Sequence, residues 1–152
     1  MDKIPSRSKL ALVYRKVLDR YEGSFNLPIN DPNTYQILAL LLSIFLLFTT
    51  NKLLIIVIVS IIMISDWFDG LVARKNGLVG RRGWMIDVFV DRISEGLIFI
   101  PILGIAAGKI FCFLYLVNIL LSFYSIKSGK HLILALRFFY LIYLFATITG
   151  IF

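Results

Sequence analysis

The chain has 152 residues, 59% of them hydrophobic and 14% aromatic, with a net charge of +7. Together with a mean hydropathy of +0.88, this excludes an ordinary soluble domain and points to a single all-α integral membrane protein. The positive balance suits anionic headgroups or phosphates, and no nucleic-acid partner is expected, because so little of the chain lies outside the apolar runs.

Residues 1–30 form the only substantial polar segment, and they lack the compact apolar core of a cleavable signal peptide. Leu10, Val13, Tyr14, Val17, Leu18 and Tyr21 fall on one helical stripe, with Lys9, Arg15, Lys16, Asp19 and Arg20 opposite. This pattern predicts a juxtamembrane amphipathic helix lying along anionic headgroups. Residues 31–152 then form the transmembrane domain. Asp31-Pro32 reads as an N-cap followed by a first-turn proline.

Five spans are expected. The first runs from Pro32 to Thr50, the second from Leu53 to about Val72, and the third from Trp84 to Ala107 with a kink at Pro101. Ile110 to Ile126 makes the fourth and Leu132 to Phe152 the fifth. The single Cys112 reads as a small apolar packing residue. Trp67 and Trp84 read as members of the interfacial belt, and His131 as an interface residue. Lysines and arginines crowd the N-terminal segment, the second loop and the fourth, whereas the opposite side has only Lys52 and Lys109. By the positive-inside rule, the crowded side is cytoplasmic.

Between spans two and three lies the stretch Ser65 to Glu95, which holds five of the nine acidic residues. At about 1.5 Å per residue, Asp66 and Asp91 both come about 10 Å below the cytoplasmic boundary, and Asp69 and Asp87 about 5–6 Å below it. Spacings of three and four keep each pair on one helix face. Four carboxylates at that depth are costly and repel one another. Bound cations remove both penalties, and with no His or Cys alongside, oxygen-only ligation favours a hard ion such as Mg²⁺, Mn²⁺ or Ca²⁺. Two such ions would suit displacement at phosphorus. The alternative is neutralisation by protons or by Arg74, Arg82 and Arg92. Gly70, Ala73 and Gly83 clear bulk beside the acids, and Arg74 is placed to meet a phosphate.

The full pattern is Asp66-x2-Asp69-Gly70-x2-Ala73-Arg74-x8-Gly83-x3-Asp87-x3-Asp91. It resembles the signature of the CDP-alcohol phosphotransferase family at every fixed position. The resemblance implies transfer of a phosphatidyl-type group from a CDP-lipid donor to an alcohol, with release of CMP, in phospholipid biosynthesis. It implies that Asp66, Asp69, Asp87 and Asp91 hold two Mg²⁺ or Mn²⁺ ions and that Asp91 is the general base. It also implies that Asn33, Asp69, Gly70, Ala73, Arg74 and Gly83 bind the CDP moiety, in a homodimer within a prokaryotic plasma membrane. Gln36 stands where the family usually has Thr, and the family usually has six spans where five are found here.

Arg137 in span five comes level with Asp91, at about 8–9 Å depth. With Lys127, Lys130 and Glu95 it forms a candidate acceptor site, the alternative being an ion pair to Asp91 or Glu95. Asp91-Arg92 and Ser94-Glu95 resemble the branch that uses inositol phosphate; glycerol-3-phosphate is the competing acceptor. From other classes, a divalent-cation transporter would need acids along a whole path through the bilayer. An intramembrane prenyltransferase would need two well-separated acidic motifs.

Overall fold

The computed structural model describes residues 29–78, 80–129 and 132–150. The amphipathic helix expected within residues 1–30 therefore lies outside the described residues, as do Lys130 and His131. The described residues form five α-helices and no strand: α1 (Pro32–Leu46), α2 (Lys52–Lys75), α3 (Arg81–Phe99), α4 (Ala106–Ser128) and α5 (Leu136–Ile148). A 3₁₀ turn over Ile100–Ile102 follows α3.

Each helix start has a local cause. Asp31 caps α1 by accepting the Asn33 N–H at 3.1 Å, with Pro32 in the first turn. Asn51 caps α2 by accepting the N–H groups of Leu53 and Leu54 at 3.0 and 3.3 Å. Gly129 ends α4 at φ 66°, a left-handed conformation suited to glycine. By length and composition α2 and α4 can each cross a bilayer, while α1 and α5 are shorter apolar helices of 15 and 13 residues.

Several span bounds differ from the sequence reading: the first helix ends at Leu46 rather than Thr50, and the fourth begins at Ala106 rather than Ile110. The third ends at Phe99 instead of continuing to Ala107, because Pro101 offers no N–H and the chain turns over Ile100–Ile102. Ala106 and Ala107 belong to α4. The fifth helix begins at Leu136, four residues late, since 132–135 is not helical.

α1 packs against both α2 and α3, α3 against α4, and α5 against α2 and α4. The apolar core joins Ala39, Val59, Ile62, Phe99, Leu136 and Tyr140 from four helices. Phe99 stacks on Phe111 at 5.5 Å and meets Tyr140 edge-on at 5.6 Å. Buried Ser43 and Ser94 join α1 to α3 through a 2.5 Å hydrogen bond, with Ser43 also donating to the Ala39 carbonyl. Large apolar side chains remain exposed around the bundle, among them Phe48, Phe113, Leu120 and Phe123. That belt would be a liability in water and is ordinary in lipid.

The turn after α3 folds onto the start of α4 so tightly that a Cβ at Gly108 would overlap the Ile102 carbonyl. Gly104 has nothing comparable nearby. Gly108→Ala should therefore destabilise the protein by about 1–3 kcal/mol, read as a lowered Tm in detergent, while Gly104→Ala stays near wild type.

Candidate active site

The two helices that carry the acids both pack against α1 and are joined by the short turn between Lys75 and Arg81. Within it Gly77 takes φ 66°, and the Asn76 side-chain amide donates to the Asn30 carbonyl at 2.6 Å, tying the turn to the start of α1. A cleft of about 290 Å³ opens beside this turn, between α1, α2 and α3. Asn33, Asp69, Gly70, Ala73, Arg74 and Gly83, the six residues expected at the nucleotide, all line it, together with Asp87. A Cβ at Gly70 would approach an Arg74 nitrogen to 3.3 Å, and one at Gly83 would lie 3.7 Å from the Leu78 carbonyl. The missing side chains therefore leave open cleft; only at Gly70 is a neighbour close.

The aspartates fall into two sets. Asp69 and Asp87 reach one another across α2 and α3 within hydrogen-bonding range, and Gln36 of α1 reaches Asp69. Two carboxyls in contact need a proton or a cation between them. Asp66 and Asp91 are instead bridged by Arg137 of α5. Its Nη1 pairs with Asp66, while its Nη2 donates to the Asp91 carboxylate at 2.9 Å and to the Asp91 carbonyl at 3.0 Å. The Arg137 side chain is 8% exposed and its two acidic partners about a quarter exposed. One guanidinium thus bridges a carboxylate from each motif helix, and with both acids ionised one negative charge is left over.

The donor set suits a hard divalent ion: oxygen atoms only, on two facing helices at a common level. In this conformation no three acidic, histidine or cysteine side chains among the described residues gather at ligating distance. Arg137 engages the two aspartates that a metal site would need alongside Asp69 and Asp87.

Glu95 points elsewhere. It pairs with Arg92 at 2.7 Å and accepts from Asn118 at 3.1 Å, all three buried. Lys127 is exposed in the last turn of α4. Of the described members of the proposed acceptor group, only Arg137 touches the aspartates.

Three participants were not assigned a site role in the sequence. Gln36, noted there as a departure from the family, contacts Asp69. Trp84, read as a belt residue, lines the cleft, and its indole N–H is buried without a hydrogen-bond partner. Its place one residue after Gly83 was the available signal. Asn118, a lone amide in an apolar span, was the third.

Because Arg137 compensates two largely buried acids, its loss leaves both without a cation. In chelator, Arg137→Gln should destabilise the protein by about 3–5 kcal/mol, measured by chemical unfolding in detergent. An unchanged midpoint would show the bridge to be dispensable.

A family model for CDP-alcohol phosphatidyltransferase matches residues 30–149, which include all five described helices. Neither a curated protein nor a solved structure matches the chain. The motif cleft and the extent of that match lead to one conclusion: this membrane chain belongs to the CDP-alcohol phosphatidyltransferase family.

Proposed function

We propose that the protein transfers a phosphatidyl-type group, diacylglycerol or archaeol phosphate, from a CDP-lipid to a phosphorylated polyol, releasing CMP. The observation that best supports this is that six motif residues, Asp87 among them, line one cleft together with Asn33. Arg74 is suited to the donor's phosphates, and Gly70, Ala73 and Gly83 leave room for the nucleotide. Asn33 and Trp84 supply polar groups at its wall. Asp66, Asp69, Asp87 and Asp91 are the residues that would hold two Mg²⁺ or Mn²⁺ ions. When bound, such ions neutralise the diphosphate and the departing CMP.

Asp91 is the proposed general base. Its carboxylate, held by Arg137 in this structure, is assigned to the acceptor's proton once the guanidinium has moved away. The acceptor oxygen then forms a bond to the lipid-bearing phosphorus, the bond from that phosphorus to the CMP oxygen breaks, and the proton stays on Asp91. Once the acids have another cation, Arg137 is free to meet the acceptor's phosphate. The acceptors weighed are inositol phosphate and glycerol-3-phosphate. Ser94 and Glu95, which resembled the inositol-phosphate branch, are occupied in interhelical bonds. The acceptor class therefore rests on Arg137.

Arg74, Lys75, Arg81 and Arg82 flank the cleft end of α2 and α3, which supports a site facing the cytoplasm of a prokaryotic plasma membrane. A homodimer is proposed from the family resemblance.

Purified protein with CDP-lipid and Mg²⁺ or Mn²⁺ should release CMP only when a suitable acceptor from a panel of alcohols is present. Asp91→Asn should lower turnover by at least about 100-fold while the protein stays folded; retained turnover would remove Asp91 as the base. Arg137→Gln, assayed with divalent ion present, should raise KM for a phosphorylated acceptor far more than KM for CDP-lipid. Equal effects on both would end the acceptor role. Absence of CMP release with every acceptor, alongside Mn²⁺ uptake into vesicles, would favour the transporter reading.

A further inference from the structure

Arg137 sits at the second position of α5, a poor place for a cation, since the helix N-terminus is itself positive. No side chain caps that terminus, because the N-cap residue is Ala135. Just before it, residues 132–135 form no regular secondary structure, with Leu132 and Ala135 exposed and the two residues between them half-buried. Backbone of that kind must find partners within the protein when lipid surrounds it.

The partners come from one face of α4. Asn118, fully buried, accepts the Leu134 N–H through Oδ1 at 2.9 Å and donates through Nδ2 to the Leu134 carbonyl at 3.1 Å. One side-chain amide thereby pairs both polar groups of one residue, as a neighbouring strand would. Seven residues along the same face, Ser125 Oγ accepts the Leu132 N–H at 3.4 Å. The same Asn118 Nδ2 also donates to Glu95 of α3 at 3.1 Å, and Glu95 is held by Arg92 at 2.7 Å. Asn118 is therefore the junction of α3, α4 and the approach to α5. Leu134 lies three residues before Arg137, so the register of that approach sets where the guanidinium stands relative to Asp66 and Asp91.

We infer that Asn118 is a positioning residue for Arg137: by pairing the Leu134 backbone it fixes the entry of α5 and holds the guanidinium at the aspartates. It is not among the residues that line the cleft. The catalytic consequence rests on the acceptor role proposed above for Arg137; the positional one does not.

Asn118→Ser is the informative variant. A serine hydroxyl in a membrane helix satisfies itself on its own helix's carbonyls and is too short to pair Leu134. Hydrogen exchange of the full-length protein in detergent should show amides 132–136 exchanging at least tenfold faster than in wild type. The acceptor KM should rise at least tenfold with the CDP-lipid KM within twofold. A merely structural role would lower the active fraction, reducing turnover without moving either KM. Unchanged exchange would overturn the inference, as would faster exchange with an acceptor KM that stays at the wild-type value although Arg137→Gln raises it. A double-mutant cycle with Arg137→Gln, followed by chemical unfolding in chelator, keeps the two proposals separable. Non-additive destabilisation is expected if Asn118 acts through Arg137, and strict additivity would contradict it. A wild-type protein inactive with every acceptor would count against the transferase function alone, and exchange and the cycle would still decide the positioning role. Should Asn118→Ser fail to fold, Asn118→Leu is read by the same criteria.

Discussion

A carboxylate inside a bilayer needs a cation, and the structure is arranged around meeting that need for four of them. Asp66 and Asp69 on α2 face Asp87 and Asp91 on α3. A cost of a few kcal/mol for each central charge could not be carried fourfold without compensation. Arg137 supplies it for one pair, and the contact between Asp69 and Asp87 leaves room for a proton or a metal at the other. The rest of the bundle serves that requirement: a tight turn between α2 and α3, a third helix to wall the cleft, and an arginine delivered from α5.

Much of the site was legible in the sequence because helical geometry is so regular. Spacings of three and four fix a face, and a rise of about 1.5 Å per residue fixes a depth. Those two rules put Asp66 level with Asp91, and Arg137 level with both, before any tertiary contact is known. The bridge from Arg137 to Asp91 was one of two alternatives that the sequence left open, and it is the one present in this state. The six nucleotide candidates share one cleft because five of them lie close together around the α2–α3 turn.

What the sequence hid depends on contacts between distant segments. Hydrophobicity ran unbroken from Leu97 to Ala107, so the break after Phe99 was masked by the apolar residues around Pro101. The late start of α5 was masked in the same way, since nothing in Leu132 to Ala135 breaks a helix, and the bonds from their backbone to side chains on α4 are contacts with a distant segment. Glu95 lay one turn beyond Asp91 and seemed to extend the acidic face; its neighbours Arg92 and Asn118 turn it into an interhelical link instead. Trp84 showed the ordinary signature of an interfacial tryptophan, and only its unpartnered N–H beside the cleft sets it apart.

The pairing of acids across α2 and α3 also explains how one site could alternate between two cations. The guanidinium is the positive charge at Asp66 and Asp91 in this structure; on the proposed reading, divalent ions would replace it there and leave it available to an anion. Anomalous diffraction from crystals of the full chain grown in lipid with Mn²⁺ addresses this most directly. Two manganese peaks between the four aspartates are expected, with the Arg137 side chain withdrawn from Asp66 and Asp91. Peaks elsewhere, or none while the bridge persists at saturating Mn²⁺, would contradict it.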